Sequence, residues 1–295
     1  VIGAALVWLL ASASQKPPAR PPLVFAAQVE VVRLDVTVHR GERSVLGLTA
    51  EDFEVRDNGV LQKVELVAAD ERRGDAVLVL DTSQSVAGEQ LDQLKAATEA
   101  FVEGLAAEDA VSIIAFSDEA RLLKAESDER ESLNLAIEGL APGGTTALFD
   151  AVYLGLKRTD TGRGRPVVLI FSDGSDRTSI LTPDVVLDVA RETDALIYAL
   201  ETGDDGWSIA HAAAEGGFDF LGLLTSQSGG RVWRGIGIAD LRRSFLSVLD
   251  EIRSRYVLRF EPTGVAPGGW HKLKVRLKRG KGKVRARRGY RRNLR

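Results

Sequence analysis

Three short stretches hold the residues of this chain best suited to chemistry: Asp81-Thr82-Ser83-Gln84-Ser85, Gly143-Gly144-Thr145-Thr146 and Ser172-Asp173-Gly174. Together they offer two carboxylates and several hydroxyls, and no soft donor. Oxygen-only sets select hard cations such as Mg2+, Mn2+ or Ca2+. Two carboxylates neutralise a divalent ion without over-saturating it, and neutral hydroxyls leave it electrophilic enough to take one more carboxylate from outside. Such a set suits the binding of an acidic partner better than hydrolysis. No His or Lys near these stretches stands out as a general base.

Composition narrows the choice further. The 295 residues include no Cys and three scattered His (His39, His211, His271). That excludes disulfides, thiolate nucleophiles and Cys-based zinc sites, and disfavours a His-based triad. The length suits about two domains, each with its own core. The net charge of −3 is an average: Trp270–Arg295 holds thirteen Lys/Arg and no acid, leaving −16 on the remaining 269 residues.

The elements that must position the three stretches follow from hydropathy. Residues 1–13 (VIGAALVWLLASA) are apolar and close on Ala11-Ser12-Ala13, which reads as the remnant of a signal peptide whose start is missing. The run is too short to cross a bilayer, which takes about 20 residues. The mature chain is therefore expected to have no transmembrane span and to be secreted, periplasmic or at the cell surface. Residues 14–23 form a Pro-rich linker.

In residues 24–73, Val32, Leu34, Val36 and Val38 alternate with Arg33, Asp35, Thr37 and His39, which predicts a strand with one buried face. Asp57-Asn58-Gly59 predicts a hairpin turn. From residue 74 to 254, continuously apolar strands such as Ala76–Leu80 alternate with amphipathic helices. That pattern predicts an α/β fold with a doubly wound, mostly parallel sheet. Period two returns in residues 255–295, with about three strands. The two antiparallel β segments are expected to pair as one β-sandwich domain into which the α/β unit is inserted.

Ligands of doubly wound sheets bind outside the carboxyl ends of the strands. Asp81 and Ser172 close two predicted strands and Gly143-Gly144 opens a helix, so all three stretches fall on one rim. In that order and spacing, Asp81-x-Ser83-x-Ser85, the Gly-Gly-Thr145 loop and Ser172-Asp173-Gly174 resemble the metal-ion-dependent adhesion site of von Willebrand factor A-type (VWA) domains. The resemblance covers about residues 74–254. The flanks, with GLTAEDFEVRDNG and Arg288-Gly289-Tyr290, resemble bacterial VWA-related proteins of acidobacterial type. The resemblance implies a Rossmann-like fold and a non-enzymatic adhesion or protein-interaction module. Its partner would present Asp or Glu to Mg2+ (or Mn2+/Ca2+). It also implies that Ser83 and Ser85 ligate the metal directly. Thr145 would do so in the ligand-competent state, and Asp81 and Asp173 directly or through water. Thr146 is the register alternative to Thr145.

Plainer readings stand beside these. Asp81, Ser83 and Ser85 are also residues that cap helices, and Asp150 and Asp176 read as solvated surface acids. A metal-dependent hydrolase using Asp81 or Asp173 as base is the enzymatic alternative. Lys272, Lys274, Arg276 and Lys278 alternate with Leu273, Val275 and Leu277, which puts the charges on the solvent face of a strand. They read as protection of an edge strand or as a surface for an anionic envelope polymer. Nucleic acid is the weaker partner, because interleaved aromatics are missing.

Overall fold

The computed structural model describes residues 31–67, 75–159, 166–202 and 218–292. The expected signal segment and linker, and with them Trp207 and His211, lie outside the described residues. Strands β1 (Val32–Arg40), β2 (Arg43–Ser44), β3 (Phe53–Asp57), β4 (Val60–Gln62) and β5 (Glu65–Leu66) come first. The α/β unit follows as β6 (Ala76–Asp81), α1 (Glu89–Gly104), β7 (Val111–Phe116), β8 (Ala120–Ser127), α2 (Arg130–Glu138), α3 (Leu148–Lys157), β9 (Val167–Ser172), α4 (Pro183–Glu192), β10 (Leu196–Thr202), α5 (Phe220–Ser228), β11 (Val232–Ile236) and α6 (Leu241–Arg253). Strands β12 (Tyr256–Phe260), β13 (Gly269–Leu277), β14 (Lys283–Ala286) and β15 (Gly289–Arg292) complete the chain.

The α/β sheet runs β11-β10-β9-β6-β7-β8, parallel throughout except for β8 at the edge. Its four inner strands, β6, β7, β9 and β10, are buried on both faces, which is why they read as unbroken apolar runs. Leu78 and Leu80 point to the layer of α1, α2 and α6; Val77 and Val79 point to the layer of α3, α4 and α5. The chain moves from β6 to β7 on one side and returns to place β9, β10 and β11 on the other. The order therefore reverses between β6 and β9, and the crevice above that seam is where such sheets hold ligands.

The flanking segments pair strand to strand. β1 lies antiparallel between β12 and β14, and β13 pairs with β3 and β15. The resulting sheets, β14-β1-β12-β5 and β15-β13-β3-β4, share one apolar cluster that includes Leu34, Val36, Phe53, Val55, Leu258 and Tyr290. The predicted turn is present, with Asn58 and Gly59 at φ 45° and 89°. Beyond it the chain pairs only briefly as β4 and then crosses to the other sheet as β5. β15 is a fourth C-terminal strand, hidden in the sequence by its run of arginines.

Two expectations need correction here. β1 does not present a solvated polar face: Asp35, Thr37 and His39 are buried, because that face packs against the α/β unit. His39 Nε2 lies 3.3 Å from Glu251 of α6, and Arg231 and Arg285 each lie 3.6 Å from the same carboxylate. Arg255 pairs with Asp35 at 3.4 Å. Nor is β13 an edge strand along its whole length: β15 pairs with Gly269–Lys272, while Leu273–Leu277 pair with β3 alone, so edge protection does not account for Lys272 but stands for Lys274 and Arg276.

Candidate metal centre

Asp81 is the last residue of β6 and is 1% exposed. Its Oδ1 accepts from the Ser83 amide (2.9 Å) and its Oδ2 from the hydroxyl of Ser172 (3.0 Å), the last residue of β9. The two rim loops on either side of the seam are thereby tied through one carboxylate. The chain beyond Asp81 turns through a short 3-10 segment, which brings the Ser83 and Ser85 hydroxyls within 3.0 Å of each other, Ser83 buried and Ser85 exposed. Helix α1 starts later, with Gly88 at its N-cap and no side-chain cap. The helix-capping reading of Asp81, Ser83 and Ser85 is therefore overturned.

On the β9 side, the half-buried Asp173 accepts from the Ser175 amide (2.8 Å), and the Gly174 amide donates to Ser172 Oγ (3.1 Å). The third loop docks onto the first: Gly143 N donates to Thr82 O (2.9 Å) and Gln84 N to Gly144 O (3.1 Å). Thr145 is exposed, and both its amide and its hydroxyl donate to Asp118 Oδ1, at 2.7 and 2.8 Å. Its hydroxyl also lies 3.1 Å from Thr178 Oγ1. Thr146 is buried, and its carbonyl accepts from the amides of Arg177 and Thr178.

Sequence reasoning missed Asp118, which follows β7 on the same rim in the bland turn Ser117-Asp118-Glu119. These donations hold its carboxyl below the usual carboxylate range, the amide of Thr145 first and its hydroxyl second. Gly144 makes the approach possible: a Cβ there would come 2.2 Å from an Asp118 carboxylate oxygen, and its φ is +70°. Asp150 and Asp176 are not solvated surface acids. Asp150 accepts from the amides of Ile180 and Leu181, and Asp176 from the Phe149 amide and the Ser179 hydroxyl. Both hold the β9 loop against the start of α3.

Burial pushes the Asp81 carboxyl up to about 6. The Ser83 and Ser172 hydrogen bonds oppose that rise, and the Asp173 charge adds to it. A buried acid beside a second acid is a place where a cation offsets a standing cost. The donor set of two carboxylates and hydroxyls fits a hard divalent ion. Among the described residues no group of three or more His, Asp or Glu is placed to hold a metal. The fit therefore rests on the hydroxyls as much as on the acids.

Residues 76–175 match the family model for the von Willebrand factor type A domain. Those residues belong to a von Willebrand factor type A domain. Across 90% of its length it is similar in fold to 74% of a von Willebrand factor type A protein from Catenulispora acidiphila, with a TM-score of 0.54 and 13% identity. Over 61% of its length it resembles the vWF domain of the type V pili tip protein Mfa5 from Porphyromonas gingivalis, covering 95% of that domain at a TM-score of 0.50 and 11% identity. Among curated proteins it is 25% identical over 150 residues to the human inter-alpha-trypsin inhibitor heavy chain H6. That match spans 44% of this chain and 11% of the relative. In this chain the A domain's sheet extends past the matched residues through β10 and β11, and α6 runs on into β12.

Proposed function

We propose that this chain is a non-enzymatic protein-binding module that engages an acidic side chain of its partner through a divalent cation. Asp81, Ser83, Ser85 and Asp173 would hold the ion, with Thr145 released from Asp118, or its neighbour Thr146, as the remaining hydroxyl. The bound ion supplies an electrophilic centre for an incoming carboxylate. The observation that carries this reading is the Asp81–Ser172 bond, which joins the two acid-bearing loops at the seam where the sheet order reverses. The likeness to a pilus tip domain agrees with adhesion, and we place the protein outside the cytoplasm, as a secreted, periplasmic or surface protein. No helix among the described residues is long and apolar enough to cross a membrane. In this reading the two flanking sheets form one β-sandwich that carries the A domain.

Mg2+ or Mn2+ alone is the first probe. At a hundred times its Kd, an ion that binds only the folded state adds about 2.7 kcal/mol of stability, which is several degrees in Tm for a protein of this size. The shift should vanish in Asp81→Ala. An equal shift in that variant, or none in wild type, refutes the metal reading. A chelator-sensitive pull-down from envelope extract, with Asp81→Ala as control, then tests for the acidic partner.

A second reading has its own observation. Lys272, Lys274 and Arg276 of β13, and Lys278 just after it, are all exposed, with Lys274 directly opposite Arg56. The Lys274–Arg56 pair is like-charged, which disfavours the sheet, and the acid opposite Arg276, Glu54, is already engaged by Arg56 at 2.7 Å, so we read the row as a surface for an anionic polymer.

A further inference from the structure

The cationic row of β13 continues into a feature of a different kind. Trp270 precedes Lys272 by two residues and shares its side of the sheet. Trp270 is 48% exposed, and its indole lies across Gly289 of the neighbouring strand. A Cβ on Gly289 would come 2.5 Å from the six-membered ring and equally close to the His271 carbonyl. The ring thus rests on bare backbone, on a residue about half of which is open to solvent.

The indole forms one wall of a groove of about 680 Å3 between α4 and the β13–β15 pair. Asp188, Arg191 and Glu192 of α4 line the opposite wall, with Asp188 paired to Arg191 at 2.6 Å, and Lys272, Arg288 and Arg291 complete it on the sheet side. Neither Lys272 nor Arg288 makes a side-chain hydrogen bond or ion pair among the described residues, while Arg291 reaches Glu192 across the groove at 3.1 Å. The walls are fixed to each other. The buried Arg287 donates to Gly289 O (2.7 Å) and Thr193 O (3.3 Å) and pairs with Asp194, and the Arg288 amide donates to Gln227 O of α5 (3.2 Å). The groove therefore needs no closure to form.

We propose that this groove binds an acidic saccharide, with one sugar ring stacked on Trp270 and its anionic substituents on Lys272 and Arg288. An open aromatic face offers a flat apolar platform to the C–H face of a pyranose. Carboxylates such as Asp188 and Glu192 accept hydrogen bonds from sugar hydroxyls. The two uncommitted cations take a carboxylate or sulfate. A bare polyphosphate would use the cations alone and has no use for the indole. The rest of the chain would run along Lys274, Arg276 and Lys278, whose Cα atoms are spaced by about 6.7 Å per two strand residues. The proposal rests on the second functional reading for that row, but the groove and the stacked ring are its own content.

Calorimetry at 0.15 M salt with tetragalacturonate, tetrapolyphosphate, maltotetraose and a thymidine tetranucleotide tests it. Tetragalacturonate should bind tighter than the other three. Trp270→Ala should weaken it at least tenfold while leaving polyphosphate binding within twofold. Lys274→Gln/Arg276→Gln should weaken both anions. If Trp270→Ala leaves tetragalacturonate unchanged while the row variant weakens both anions, the groove is overturned and the polyanion reading survives. If neither anion binds, both fall, and tighter nucleotide binding also overturns the saccharide. Lys272→Gln/Arg288→Gln, exposed and free of internal partners, carries the test should Trp270→Ala misfold; an unchanged affinity there is equally fatal.

Discussion

The Ser172 hydroxyl donates to Asp81 Oδ2 across the seam between β6 and β9, at 3.0 Å. One bond thus links the last residues of two neighbouring parallel strands at the point where the strand order reverses. It also holds a buried acid within the influence of Asp173, from which a pH dependence follows.

With chelator present, the folded state holds the Asp81 carboxyl near 6 against an ordinary 3.8. A raised acid favours folding while protonated, so its contribution is fully present below pH 3.8 and lost as pH climbs through 6. The span corresponds to at most about 3 kcal/mol. Urea denaturation between pH 4 and 7.5 should show wild type losing stability over that window relative to Asp81→Asn. Divalent ion should restore it at the upper end, since binding requires the ionised carboxylate. Parallel pH profiles for the two proteins would contradict the assignment.

Gly144→Ala forces a Cβ onto the Asp118 carboxylate at φ +70°. Destabilisation of about 1–2 kcal/mol is expected, with weaker metal binding because the Thr145 loop shifts. Part of this cost belongs to the Asp118–Thr145 pair. The double variant Gly144→Ala/Asp118→Ala should therefore lose less than the sum of the singles in a double-mutant cycle. Strict additivity would show that Asp118 does not position the loop.

Glu251 is 3% exposed and faces His39, Arg231 and Arg285. Glu251→Ala leaves His39 and the two arginines without their shared carboxylate, at a cost of about 3–5 kcal/mol. The loss should be visible as a lower denaturation midpoint. A loss below about 1 kcal/mol would mean that water solvates the arginines and that the junction does not depend on the ion cluster.

Inside the flanking sheets, Asp57 accepts from Tyr290 Oη at 2.8 Å and faces His271 Nδ1 at 2.8 and 2.9 Å, all three residues being buried. Asp57→Ala should cost about 2–3 kcal/mol by stranding two buried polar groups. Asp57→Asn, which keeps one acceptor oxygen, should cost less. Equal stabilities of the two variants, measured by urea denaturation, would count against a hydrogen-bonding role.

The mostly parallel α/β sheet and the shared rim of the three loops were legible because buried parallel strands read as unbroken apolar runs, and strand ends are where ligand loops occur. Trp233 is a packing residue, its ring tilted against Tyr198 at 5.7 Å and under the Arg231 guanidinium at 4.0 Å. What escaped was polar and long-range. Asp35, Thr37 and His39 look solvated because strand alternation reports two faces without saying what covers the second one. Asp57 looks like a turn residue because nothing local betrays His271, 214 residues away. Asp118 is silent for the same reason: its partner Thr145 is brought to it by the sheet, not by spacing.

The pairing of β1 with β12 has a mechanical side. Val32, where β1 begins, lies opposite Phe260, while Tyr256, where α6 delivers the chain into β12, lies opposite Val36. Tension between the start of β1 and the end of α6 drags two antiparallel neighbours lengthwise past each other. All the hydrogen bonds of the pair then carry the load together instead of opening one after another. A pull arriving at the rim of the A domain and passing through α6 thus meets the sheet in shear, the direction in which a strand pair resists most.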